Sequence, residues 1–249
     1  MPRLSSAVLS RRRMLALSAA ALGTASLRRT GADDGTLADG TVIVFQGDSI
    51  TDVRRNRTLQ AEPSNLAAMG TGYAHKIAKQ LLAEYPDKQL QIYNRGISGN
   101  KVPQLDARWQ ADAIDLKPDL LSILIGVNDI WHMLGGRYDG TVETYRTGLA
   151  ELLARTTREL PGVRLIVCEP FVLRTGVIND DWFPEFENRR QACEEVAREA
   201  GAVWVPFQQM FDQAVASGVA PGDLARDGVH PTPKGHEMMA EKWREVVGI

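Results

Sequence analysis

Cysteine is scarce, with 2 in 249 residues, and they stand at Cys168 and Cys193. Histidine is scarce too, at 4. There is no C-x-x-C pair and no His-rich tract, so the spacings that hold zinc in structural or catalytic sites are missing and no metal is expected. Cys168 closes an apolar run and Cys193 falls in a helical stretch, which reads as two buried free thiols. There is no excess of basic charge. Four of the 29 basic residues lie in the first 25 positions and no acid does, so the remainder carries 25 basic and 31 acidic side chains, a net charge of −6. A body of that sign lacks the footprint that phosphate backbones require, which argues against nucleic acid as a partner. No apolar run reaches the roughly 20 residues that a membrane-spanning helix needs. The longest, Met14 to Leu22, follows Arg11, Arg12 and Arg13 and leads to Gly23, Thr24 and Ala25. That order of basic head, short apolar centre and small residues is an export signal rather than an anchor, with cleavage expected near Ala25. The string Ser10-Arg11-Arg12-Arg13-Met14-Leu15 resembles the twin-arginine version, and an ordinary Sec signal is the alternative. The expected organisation is therefore an export signal over 1–25, a flexible segment over 26–40, and one domain over 41–249 in a periplasmic or extracellular protein.

What is present is an ordinary core composition, 44% hydrophobic and 24% charged, enough for one sizeable α/β domain. Short apolar runs at Val42–Phe45, Leu90–Tyr93, Leu120–Ile125, Leu165–Cys168 and Val203–Val205 read as five buried parallel strands. Between and after them, helical patterns cover Tyr73–Glu84, Val102–Ile114, Val142–Glu159, Glu185–Ala200 and Thr232–Val247. The last has Thr232 as its cap and Pro233 at the first position. Alternation of this kind builds βαβ units, hence a three-layer α/β/α sandwich. The stretch from Thr51 to Thr71, with Arg54, Arg55 and Arg57, reads as a surface loop over the site with solvated charges. His75, His132 and His236 read as surface positions.

In a sheet of this type, ligands sit beyond the carboxyl ends of the strands. The first strand end carries Gly47-Asp48-Ser49-Ile50, a hydroxyl beside a glycine that permits a tight backbone. A serine becomes nucleophilic only when a base takes its proton and an acid orients the base. Asp227-Gly228-Val229-His230 supplies both within one short loop. Acyl transfer also needs donors for an oxyanion. Two further strand ends offer them, Gly99 in Asn94-Arg95-Gly96-Ile97-Ser98-Gly99-Asn100 and Asn128 in Gly126-Val127-Asn128-Asp129, joined by the backbone N–H of Ser49. Ser98, between glycines, reads as a turn residue. Asp48, Trp131 and Trp182 are candidate lining residues of the substrate pocket.

The four blocks around Ser49, Gly99, Asn128 and His230 resemble those of the SGNH hydrolases, also called GDSL esterases. They occur in the family's order and span nearly all of the chain after Val42. The resemblance implies a flavodoxin-like sandwich with a five-stranded parallel sheet, a catalytic acid at Asp227, and no cofactor. The α/β-hydrolase elbow G-x-S-x-G is absent, which separates the chain from that fold. The fuller strings around Ser49, Gly99 and Asn128, the last running Ile125-Gly126-Val127-Asn128-Asp129-Ile130-Trp131, are most similar to the bacterial acetylxylan esterases and related carbohydrate deacetylases. This implies a small-molecule or oligosaccharide ester as substrate. A lysophospholipase- or thioesterase-like lipid hydrolase is the alternative, a non-catalytic carbohydrate-binding module is a weaker one, and an oligomer is compatible with the sequence.

Overall fold

The computed structural model describes residues 37–249; the expected export signal and most of the segment after it lie outside the described residues. Five strands form one parallel sheet: β1 (Val42–Gly47), β2 (Gln91–Asn94), β3 (Leu120–Leu124), β4 (Arg164–Cys168) and β5 (Val203–Val205). Their order is β2-β1-β3-β4-β5. The chain runs outward from β1 to β2, then crosses back to place β3 on the other side of β1, so the order reverses between β1 and β3. Such a switch point opens a crevice at the carboxyl ends, because the loops there leave in opposite directions.

The sheet is buried on both faces, which is why its strands read as continuous apolar runs rather than alternations. On one side Ile43 and Phe45 pack with Tyr73, Ile77 and Leu81 of α2 (Tyr73–Glu84) and with Met239 and Trp243 of the C-terminal helix (Pro233–Val247). On the other, Val44, Leu121 and Ile123 meet Val102, Leu105 and Trp109 of α3 (Val102–Asp112), and also α5 (Val142–Glu159) and α6 (Glu185–Glu199). A fully buried tryptophan sits in each layer with its polar handle satisfied. Trp109 Nε1 donates to Thr156 Oγ1 at 2.9 Å, and Trp243 Nε1 donates to Ser122 Oγ at 2.9 Å. Cys168 belongs to the first layer and Cys193 to the second. The sheet therefore separates them, and both are free thiols.

Four expectations change. The stretch after Thr51 is not a plain surface loop: it forms two 3₁₀ turns, Arg57–Leu59 and Leu66–Met69, and between them Ser64 pairs with the outer edge of β2, Ser64 N donating to Ile92 O and Ile92 N donating back to Ser64 Oγ. That covers an otherwise unpaired strand edge. Arg55 is not solvated but 5% exposed, its Nε donating to Gly96 O at 2.7 Å. His236 is not at the surface; it is 5% exposed and its Nδ1 accepts from Tyr73 N, one of the orphan donors at the start of α2. Two helices escaped notice: α4 (Val127–Leu134), directly after β3, and α7 (Phe207–Ala216), after β5. The remaining helices are the short α1 (Ser49–Asp52) and α8 (Pro221–Leu224), which makes the C-terminal helix α9. Among the described residues no helix is long and apolar enough to cross a membrane.

Candidate active site

Ser49 opens α1 at the end of β1. Asp48 caps that helix, its Oδ1 accepting from Ile50 N at 2.9 Å. Gly47 lets the strand end pass close to its neighbour, since a Cβ there would stand 2.4 Å from Leu124 O and 2.5 Å from Thr51 Oγ1. The serine hydroxyl is thereby held above the sheet, and Ser49 Oγ lies 2.8 Å from His230 Nε2.

Asp227 makes three contacts within its loop, two of them to His230. One carboxylate oxygen accepts from the backbone N–H of Val229 at 3.0 Å and of His230 at 2.7 Å, and the other lies 2.6 Å from His230 Nδ1. With the carboxylate as acceptor, Nδ1 carries the proton and Nε2 offers its lone pair to the serine. Partial burial works against the Asp227 charge, but the hydrogen bonds from the His230 ring and from the two backbone donors outweigh it and hold the carboxyl below its usual range. The loop itself is clamped by the segment after β4: Leu173 N donates to Gly228 O and Val177 N to Asp227 O. Gly228 has φ +85, and a Cβ there would come within 2.5 Å of Leu173 O and Thr175 O.

The loop after β2 is drawn toward the same point, because Ile97 N donates to Gly47 O at 3.0 Å. Gly99 has φ +81, and nothing packs on the side where a Cβ would project. Asn128 lies in the first turn of α4 and donates through Nδ2 to Asn100 O at 3.2 Å, which leaves one amide proton for another acceptor. The structure thus brings Ser49, His230 and Asp227 into one hydrogen-bonded line and ties the loops of Gly99 and Asn128 together at its side. Ser98 is held elsewhere, its Oγ donating to Asp52 Oδ2 at 2.9 Å.

The lining residues are less uniform. Trp131 is half-buried and lies 5.9 Å from the His230 ring, forming the wall beside the base. Trp182 is 3% exposed and packs against Trp131 with the two rings tilted by 58°, so it supports that side chain from the interior. Asp48 is 1% exposed and lies beneath the serine, not in a pocket wall; burial pushes its carboxyl up to about 7. Asp129, next to Asn128, is pushed up to about 7 by the same cause. No cluster of His, Cys, Asp and Glu suited to a metal ion occurs among the described residues.

Fold and site together define a carboxylic ester hydrolase, and comparison with known proteins agrees. The profile of the GDSL-like lipase/acylhydrolase family matches residues 45–238, and the chain belongs to that family. An acetylxylan esterase from Geobacillus stearothermophilus is 33% identical over 221 residues, covering 86% of this chain and 96% of that protein. Among solved structures, a candidate GDSL-like lipase from Parabacteroides merdae superposes with a TM-score of 0.82 at 45% identity, covering 86% of this chain and 98% of that one. The crystal structure of the Geobacillus acetylxylan esterase gives 0.75 at 33% identity, covering 85% and 96%. Matching structures of that esterase include catalytic mutants in which a histidine or a serine is replaced by alanine.

Proposed function

We propose that the protein removes acetyl groups from acetylated carbohydrate, xylan-type oligosaccharides being the expected substrates, through an acyl-enzyme on Ser49. The observation that carries the chemistry is the unbroken line from Asp227 through His230 to Ser49, at 2.6 and 2.8 Å. As Ser49 Oγ attacks the ester carbonyl carbon, its proton passes to His230 Nε2 and Asp227 stabilises the imidazolium. The carbonyl oxygen becomes an oxyanion facing the N–H groups of Ser49 and Gly99 and the free amide proton of Asn128. Each such donor is worth about 3 kcal/mol in the transition state. The bond between the acetyl carbonyl carbon and the sugar oxygen then breaks, that oxygen takes the imidazolium proton and leaves as the sugar hydroxyl, and acetyl-Ser49 remains. Water, deprotonated by His230, attacks the acetyl carbon and releases acetate and free serine.

The choice of substrate rests on the Geobacillus acetylxylan esterase and on the openness of the site. The His230 side chain is 45% exposed, with the half-buried Trp131 beside it. A shallow site of this kind suits a short acyl group carried on a bulky, hydrated leaving group. Hydrolysis of acetyl and octanoyl p-nitrophenyl esters and of acetylated xylo-oligosaccharides, by wild type and Ser49→Ala, tests both parts. Ser49→Ala is expected to lose about 10⁶-fold in kcat. Turnover surviving in that variant would remove the chemistry, and faster cleavage of octanoyl than acetyl esters would remove the carbohydrate reading. Export belongs to the same proposal, supported by Arg11-Arg12-Arg13 and the short apolar run behind them. Fusing residues 1–40 to a reporter that is active only outside the cytoplasm checks it, and a silent reporter would rule export out.

A further inference from the structure

The loop between β2 and α3 is fastened at nearly every residue. Gly96 O accepts from Arg55 Nε at 2.7 Å, Ile97 N donates to Gly47 O at 3.0 Å, and both the N–H and the hydroxyl of Ser98 donate to Asp52 Oδ2. These contacts hold the middle of the loop. Its two ends are bracketed by one side chain, Arg108, projecting from the second turn of α3. Arg108 Nε donates to Asn100 Oδ1 at 2.8 Å, and Nη1 donates to Arg95 O at 2.7 Å and to Asp112 Oδ2 at 2.9 Å. Nη2 reaches Gly47 O at 3.2 Å, two residues before the nucleophile. One guanidinium therefore joins the end of β1, the start of the β2 loop and its far end at Asn100. Only a planar fork of donors can meet acceptors placed in so many directions; an ammonium on a flexible stem cannot.

Asn100 is the member that matters for the reaction. Its side chain is held by Arg108, and its own carbonyl accepts from Asn128 Nδ2 at 3.2 Å. That contact occupies one amide proton of Asn128 and so fixes the plane in which the other points. Gly99, the second donor contributed by a loop, is the residue immediately before this anchor. Asn100 N in turn donates to Ile97 O, which closes the turn that carries Gly99.

We infer that Arg108 is a positioning residue of the ester hydrolysis: through Asn100 it sets the amide of Asn128, and the peptide of Gly99, at the oxyanion. The inference rests on the reading of Asn128 as an oxyanion donor. Arg108 touches neither Ser49 nor His230, so it acts on the transition state through the donors alone. Loss of such a contact lowers kcat while leaving ground-state binding, and hence KM, almost unchanged.

The test is a double-mutant cycle on p-nitrophenyl acetate with Arg108→Gln, Asn100→Ala and Asn128→Ala, each alone and each of the first two combined with the third. Arg108→Gln and Asn100→Ala are expected to lower kcat by about tenfold or more with KM within about twofold of wild type, while Asn128→Ala loses about 100-fold. In the Asn128→Ala background either further substitution costs a clearly smaller factor than in wild type, because one of the two donors they orient is already gone. An unchanged kcat in both single variants overturns the inference. So does an equal fractional loss in both backgrounds, which is the signature of general scaffolding. Should Arg108→Gln fail to fold, Asn100→Ala carries the test, since it leaves the other three acceptors of Arg108 in place. Full activity in Asn128→Ala is a different result, for it removes the oxyanion reading itself, whereas a crippled Asn128→Ala beside fully active Arg108→Gln and Asn100→Ala removes this inference only.

Discussion

Asp227 divides its two carboxylate oxygens between two tasks. Oδ1 accepts both backbone N–H groups of its own loop, from Val229 and His230, and Oδ2 faces the imidazole. This division predicts what an amide would do there. In Asp227→Asn the remaining carbonyl oxygen would stay on the two backbone donors, since an NH₂ group cannot accept from them. The NH₂ would then face His230 Nδ1 and force it to act as acceptor, which puts the ring proton on Nε2, where it opposes proton transfer from Ser49. We expect kcat to fall by about 10³- to 10⁴-fold with the fold intact, read from ester hydrolysis beside the circular dichroism spectrum. A fall of less than about tenfold would show that Asp227 does not set the tautomer. These three residues were legible in the sequence because acid and base sit three positions apart and the serine follows a strand. Arg108 was not, because an arginine on the polar side of an amphipathic helix has the same pattern whether it meets water or the backbone carbonyls of Gly47 and Arg95 and the side chain of Asn100. Asp48 was misplaced for a related reason: a carboxylate beside a nucleophile looks like a lining residue until its burial beneath the serine is seen.

At the scale of elements, the strands were readable because burial on both faces of a parallel sheet leaves uninterrupted apolar runs, and Val203–Val205 has the bounds the sequence suggested. The two missed helices lack a local start signal. Asn128 and Asp129 read as loop residues, and α4 begins after Gly126, which offers no side-chain cap. The cap of α7 comes from far away: Glu169, at the end of β4, accepts through Oε2 from Gln208 N at 2.9 Å and Gln209 N at 3.2 Å. Its other oxygen accepts from Arg190 Nη1 at 2.8 Å. No window of ten or fifteen residues contains both a helix and a cap 39 positions earlier. The arrangement predicts that Glu169→Ala unfastens α7 by stranding two backbone donors, that of Gln208 buried, at a cost of about 1–3 kcal/mol. The urea midpoint should fall accordingly and amide exchange should quicken across Phe207–Ala216 first. Uniform exchange changes over the whole sheet would contradict a local role for this cap. Because α7 packs through Phe207 and Phe211 against Phe171, just before the segment that clamps Asp227, the loss should be felt at the site as well.

For the molecule as a whole, the buried titratable groups set how stability responds to pH, and they pull in opposite directions. His236 has its pKa lowered to about 4, chiefly by burial, so the native state binds fewer protons than the unfolded chain between about 4 and 6.5 and stability is lost as the pH falls through that window. Asp48 and Asp129 behave in the reverse sense. Burial raises each from 3.8 to about 7, so the native state holds protons that the unfolded chain has released. Stability therefore declines as the pH climbs from about 4 to 7, and the full cost of the buried charges is present above 7. Asp129 isolates this effect cleanly. Its Oδ1 accepts from Val102 N, while among the described residues Oδ2 has no hydrogen-bond partner. An asparagine can keep the first contact and cannot ionise. Asp129→Asn should therefore fold, and its unfolding free energy in urea should decline less steeply than that of wild type between pH 5 and 8, the two proteins diverging most at the alkaline end. Parallel pH profiles would mean that Asp129 is already ionised in the native protein throughout this range. In that case the charge would have to be held by Lys101 and Arg189, the two cations that act on it, rather than avoided by protonation.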